Sequence, residues 1–144
     1  MEKFSKRLLE LEKDNGINHE DLAKILGLSH VHLIYPWING EYYPSIPNLM
    51  KIARYFECSL EYLLGRTENT EIAKYKDNKV NFIDRFENII KDKHITKTSL
   101  VKSGIISFDN IHQWKKNNRT PRLETIIKLA DYLNVSIDYL VGRE

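Results

Sequence analysis

The chain of 144 residues holds one cysteine, four prolines and six glycines. A single cysteine, Cys58, has no partner for an internal disulfide and cannot build a cysteine-based zinc knuckle. Sparse proline and glycine, with almost no period-2 alternation of apolar and polar residues, exclude strands as the main element and predict helices throughout. No apolar run is long enough to span a bilayer or to form a signal-peptide core, so a cytoplasmic protein is expected. The net charge is only +2, too small by itself to argue for a nucleic-acid partner. A Gly-rich phosphate loop is missing, as is a serine or cysteine in a nucleophile context, so no enzymatic activity and no cofactor are expected. His30 and His32 lie two apart, which on a helix puts them on different faces, and no metal site is expected.

What the chain does have is a repeat. Residues 46–66 read IPNLMKIARYFECSLEYLLGR and residues 123–143 read LETIIKLADYLNVSIDYLVGR. Eight of these 21 positions are identical at an offset of 77: Lys51/Lys128, Ala53/Ala130, Tyr55/Tyr132, Ser59/Ser136, Tyr62/Tyr139, Leu63/Leu140, Gly65/Gly142 and Arg66/Arg143. Most other positions exchange one apolar residue for another. Two copies of a small module follow, expected at residues 1–67 and 80–144 with a connector at 68–79. Modules of that size bury little surface, so each is expected to be modestly stable. Cys58 matches Val135, which makes it a small core residue. Ile72 and Tyr75 give the connector something to pack with.

Each copy reads as five short helices. Phe4, Leu8 and Leu11 form an apolar stripe at i, i+4 and i+7, and Phe82, Phe86 and Ile89 repeat it at an offset of 78. Asn18 caps a second helix carrying Leu22, Ala23 and Ile25, and Thr96 caps its counterpart with Leu100 and Val101. A turn follows, Gly27-Leu28 in one copy and Gly104-Ile105-Ile106 in the other. Ser29 and Ser107 are expected to cap the third helices, which run to Trp37 and Trp114. Gly40 marks a left-handed turn, with Asn117 in its place in the second copy. Leu49, Ile52 and Ala53, or Ile126, Leu129 and Ala130, are the buried face of helix four. Ser59 and Ser136 start helix five, and Gly65 and Gly142 stop it. Helix, short glycine-containing turn, helix is the pattern of a helix-turn-helix.

The stretches NHEDLAKILGLSHVHLIYPWINGEYYPSIPNLMKIARYFECSLEYLLGR and TKTSLVKSGIISFDNIHQWKKNNRTPRLETIIKLADYLNVSIDYLVGR each resemble the phage-repressor/Cro-type helix-turn-helix family, the xenobiotic-response-element class of bacterial regulators. The resemblance implies an all-α fold of two tandem five-helix, lambda-repressor-like domains. It further implies sequence-specific binding to double-stranded DNA, usually as a dimer, and transcriptional control, here most simply as a repressor.

In such a motif the third helix lies in the major groove with its N-terminal residues against base edges. In the second copy this recognition helix is 107–114. Phe108, Asp109, Asn110, His112 and Gln113 are the candidate base readers, while Ile111 and Trp114 face the core. Asn and Gln suit adenine, Asp suits cytosine and Phe suits a thymine methyl. Lys97, Ser107, Lys115, Lys116, Arg119 and Arg122 are the candidate phosphate ligands, because neutralising the backbone supplies most of the affinity.

The first copy departs from this. The loop from Ile38 to Tyr43 has no basic residue and His19 stands in the place of Lys97. Measured from Ser29, its third helix is one residue longer, and Pro36 inside it predicts a kink or an end near Tyr35. His30, Val31, Ile34, Tyr35, Tyr42 and Tyr43 form an exposed aromatic and apolar set, a composition commoner at protein interfaces than on phosphate backbones. Charge divides the same way: residues 1–68 carry 8 basic and 10 acidic side chains, residues 80–144 carry 11 and 8. Two readings stay open. Copy two reads DNA while copy one serves dimerisation or a protein partner, or both copies bind as an intramolecular pseudo-dimer on two unlike half-sites. A third, of a different class, is a protein-interaction module on the same fold (antitoxin, antirepressor or polymerase-binding factor) with no DNA target.

Overall fold

The computed structural model describes residues 2–70 and 80–143. The chain divides into two compact units, residues 1–74 and 75–144. Ile72 and Tyr75 lie outside the described residues. All regular elements among the described residues are helical.

The first unit contains α1 (Glu2–Asp14), α2 (His19–Ile25), a 3-10 turn (Val31–Leu33), α3 (Tyr35–Ile38), α4 (Ile46–Tyr55) and α5 (Leu60–Leu63). The second contains α6 (Phe82–Asp92), α7 (Lys97–Lys102), α8 (Phe108–Asn117), α9 (Leu123–Leu133) and α10 (Ile137–Leu140). The starts are set by the residues the sequence points to. Asn18, Ser59, Thr96, Ser107 and Ser136 each accept a backbone N–H three residues on, capping α2, α5, α7, α8 and α10. The apolar stripes are buried as their spacing predicts: Phe4 and Leu8 on α1, Phe82, Phe86 and Ile89 on α6, and Leu49, Ile52, Ala53, Ile126, Leu129 and Ala130 on α4 and α9. Ile25 is the exception, exposed at the end of α2. Cys58 and Val135 are both half-buried rather than core.

One cross-tie is present in both units. The Arg7 guanidinium lies 3.7 Å from the Tyr62 ring centroid, and Arg85 lies 4.1 Å from Tyr139. Each joins the first helix of its unit to the last by a cation–π contact along a mostly buried arginine. Arg66 pairs with Glu61 at 2.9 Å, and Arg143 with Asp138 at 2.8 Å. These contacts account for Tyr62/Tyr139 and Arg66/Arg143 as scaffold.

Candidate nucleic-acid interface

The second helix-turn-helix is built on α7 and α8. Between them Gly104 takes a φ of +83°, a left-handed conformation that side chains resist, and Ile106 turns inward. Ser107 then closes a full capping box: its hydroxyl accepts the Asn110 N–H, and the Asn110 Oδ1 accepts the Ser107 N–H. The 3.6-residue period buries Ile111 and Trp114, and Trp114 meets Phe82 and Phe86 of α6 edge-on at 5.4 and 6.0 Å. Everything else on α8 faces outward. Phe108 is 55% exposed, and Asp109, Asn110, His112, Gln113, Lys115 and Lys116 are exposed as well.

Several of these side chains are already engaged. The Gln113 Oε1 accepts a hydrogen bond from Asn117 Nδ2 at 2.8 Å. A bidentate contact with adenine uses both ends of an amide. Gln113 would give up only an exposed i, i+4 bond, worth a few tenths of a kcal/mol. Asn110 would give up its half of a capping box, at about 0.5–2 kcal/mol. Gln113 is therefore the readier amide of the two. Ser107 likewise spends its N–H and hydroxyl on the cap. Among the cations, Arg119 is exposed in the loop after α8, and Arg122 is exposed at the residue preceding α9. Lys97 and Lys115 converge on a residue that pattern reading overlooks: Glu87 Oε1 lies 3.4 Å from the Lys97 Nζ and 4.0 Å from the Lys115 Nζ. The sequence separations, 10 and 28 residues, carry no signal of this, because the carboxylate comes from α6, outside the motif. Nearest the left-handed turn, Asn118 rather than Asn117 takes positive φ, at +52°; Asn117 is the last residue of α8.

The equivalent segment of the first unit differs from expectation in ways that share one cause. Its cap position is His30, not Ser29, and no side chain caps it. Counting from Gly27 and Gly104, His30 falls opposite Ser107, Leu33 opposite Asn110, Ile34 opposite Ile111 and Trp37 opposite Trp114, all at an offset of 77. The third segment is thus not longer; Ser29 was the wrong landmark. With neither half of a capping box, the first turn tightens to 3-10. Pro36, opposite Gln113, lacks the N–H that would reach back four residues, and the helix restarts as α3 with proline in its first turn, where it is tolerated. The break expected near Tyr35 is present, and the proline and the missing cap coincide there.

That register corrects the exposed set. Ile34 is fully buried beside Trp37, in the role of Ile111, and belongs to the core rather than an interface. Tyr43 is half-buried with its ring 5.8 Å from Phe4, and Val31 is half-buried. Leu33, Tyr35 and Tyr42 are 44–54% exposed, and His30 and His32 are exposed as well. The rings of His30 and His32 stack at 5.7 Å, because His30 is extended rather than helical. Nearby, His19 Nδ1 lies 2.7 Å from Glu12 Oε2, and burial pushes the Glu12 carboxyl above its ordinary range, an effect the hydrogen bond and charge of His19 oppose. No group of three or more metal-ligating side chains occurs among the described residues.

The two units thus define a tandem helix-turn-helix protein, with motifs of unequal construction. The chain belongs to the Cro/C1-type helix-turn-helix DNA-binding domain family, whose model matches residues 7–69 and 85–144. Among curated proteins none matches. A solved structure with similarity is a transcriptional regulator from Listeria innocua, at 20% identity over 71% of this chain and 86% of that one, with a TM-score of 0.42. No helix among the described residues is long and apolar enough to cross a membrane.

Proposed function

We propose that the chain is a sequence-specific transcriptional regulator, acting as a repressor, and that its second unit reads double-stranded DNA by laying α8 in the major groove. The observation that supports this most is the outward face of α8: a continuous, capped helix with Phe108, Asp109, His112 and Gln113 at its entry end and Lys115 and Lys116 at its exit. Base readers at the N-terminal end and cations behind them suit direct readout with backbone neutralisation. Lys97, Arg119 and Arg122 extend the cationic rim, and Asn110 and Ser107 serve chiefly to start the helix. The first unit, with its broken third segment and exposed Leu33, Tyr35 and Tyr42, serves an intermolecular contact instead, between copies of this chain or with another protein.

The test uses the full chain and genomic fragments captured by it. Four phosphate contacts at Lys115, Lys116, Arg119 and Arg122 correspond to a salt slope of about −3.6. Replacing all four with alanine should flatten the slope and weaken every sequence alike, whereas Gln113→Ala should blur preference at particular base pairs and leave the slope alone. Retention of tight, selective binding by the fourfold variant would transfer the reading to the first unit. A footprint spanning two successive major grooves by one chain would favour the pseudo-dimer.

A further inference from the structure

We infer that Glu87 is an intramolecular competitor for DNA phosphate, occupying Lys97 and Lys115 in the free protein and thereby setting the affinity of the second unit for any duplex. The inference rests on α8 of the second unit facing DNA. One carboxylate oxygen from α6 lies 3.4 Å from the lysine that opens α7 and 4.0 Å from the lysine in the later half of α8. Three elements therefore meet at a single acceptor. Two like charges brought together there repel each other, and Glu87 relieves that repulsion while cancelling half of their attraction for an outside anion. The side chains remain accessible, with 40% of Lys97, 70% of Lys115 and 35% of Glu87 exposed, so the pairs are weak enough to exchange. A phosphate arriving at this rim has the same chemistry as the carboxylate and displaces it.

The repeat supplies an independent argument. The first unit carries Leu9 opposite Glu87, His19 opposite Lys97 and Ile38 opposite Lys115. Acid and both lysines are absent together from the unit that has lost its basic rim. A carboxylate needed for packing would persist with the scaffold, as the Arg7/Arg85 tie does. This one accompanies the two cations it neutralises.

The experiment titrates the full chain with a random-sequence duplex at several salt concentrations. Glu87→Gln should tighten binding about three- to tenfold at low salt and steepen the salt slope by up to about one. Asp92→Asn, which removes one negative charge at the exposed end of the same helix, should change neither quantity by more than a small factor. Lys97→Ala and Lys115→Ala should each weaken binding in the parent. Unchanged or weaker binding by Glu87→Gln, with the lysine variants weakened, overturns the competitor and makes Glu87 at most a support for the lysines. An equal gain from Asp92→Asn overturns it too, by showing a response to net charge alone. If neither lysine variant moves the affinity, the assignment of this face to DNA fails instead. Matching melting curves for Glu87→Gln and the parent exclude misfolding as the source of any difference.

Discussion

From Phe108 to Asn117 the second unit runs one unbroken helix, while from Val31 to Ile38 the first unit makes a 3-10 turn and then a short helix of four residues. Both segments bury an isoleucine and a tryptophan three residues apart, Ile111 with Trp114 and Ile34 with Trp37. The core anchor is thus preserved while the backbone between cap and anchor is rebuilt. Three differences accompany this: histidine for serine and leucine for asparagine leave no capping box, and proline for glutamine removes one backbone donor. A helix that must present side chains at fixed 3.6-residue spacing needs all three. A surface that needs only exposed aromatic and apolar area needs none. The scaffold of a helix-turn-helix thus persists while the segment opposite α8 is rebuilt at a few positions.

The largest expected effect tests that the units are independent. Trp114→Ala removes the edge-on contacts to Phe82 and Phe86 and leaves a cavity at the centre of the second unit. Truncations of that kind cost about 3–5 kcal/mol. A unit of this size has little more than that in reserve, at about 0.05–0.15 kcal/mol per residue. Calorimetry of the full chain should lose one transition, and DNA binding should go with it. Trp37→Ala should remove the other transition and leave DNA binding in place. Loss of DNA binding in the Trp37→Ala protein would break the division of labour between the units.

A smaller effect separates the units by pH. Glu12 is buried with its carboxyl held above the ordinary range, mainly by desolvation. The second unit has Ile90 in its place. A carboxyl whose folded pKa is raised stabilises the fold below its unfolded pKa and loses that contribution as pH rises through the raised value. Glu12→Gln cannot titrate. The melting temperature of the first unit in this variant, less that of the parent, should therefore rise as pH climbs above the ordinary carboxylate range. The second unit's transition should show no such drift. A difference that moves the other way would mean that the ion pair with His19 outweighs burial.

The fold was legible because its signals are local. Caps at Asn18, Thr96, Ser59 and Ser136, the stripes of α1 and α6 and the left-handed Gly40 and Gly65 each depend on a few neighbouring residues. The outward face of α8 was legible for the same reason, since α8 is regular and its period fixes what points out. Reading failed where two local signals compete. Ser29 is a good capping residue one position too early, and choosing it shifts the register by one and turns Ile34 outward. Gly27 and Trp37 lie ten residues apart, as do Gly104 and Trp114, and fix the register once both are used as anchors. Engagement was not legible at all. The bonds of Asn110 and Gln113 within α8, and the meeting of Glu87 with Lys97 and Lys115, depend on side-chain rotamers and on a third helix.

The smallest expected effect decides which of the lost features breaks the first unit's helix. Pro36 sits in the first turn of α3, where a backbone N–H has no helical acceptor in any case, so its ring is compatible with the structure as it stands. Pro36→Ala should change the melting temperature of the first unit by the equivalent of about 0.5 kcal/mol or less. Far-UV circular dichroism should show no added helical turn, because His30 and Leu33 still leave the first N–H groups without a cap. Adding His30→Ser and Leu33→Asn to Pro36→Ala restores the capping box of the second unit and should then extend the helix back toward residue 31. A full turn gained by Pro36→Ala alone would place the difference between the units in the proline, with the missing cap as a consequence of relaxed need.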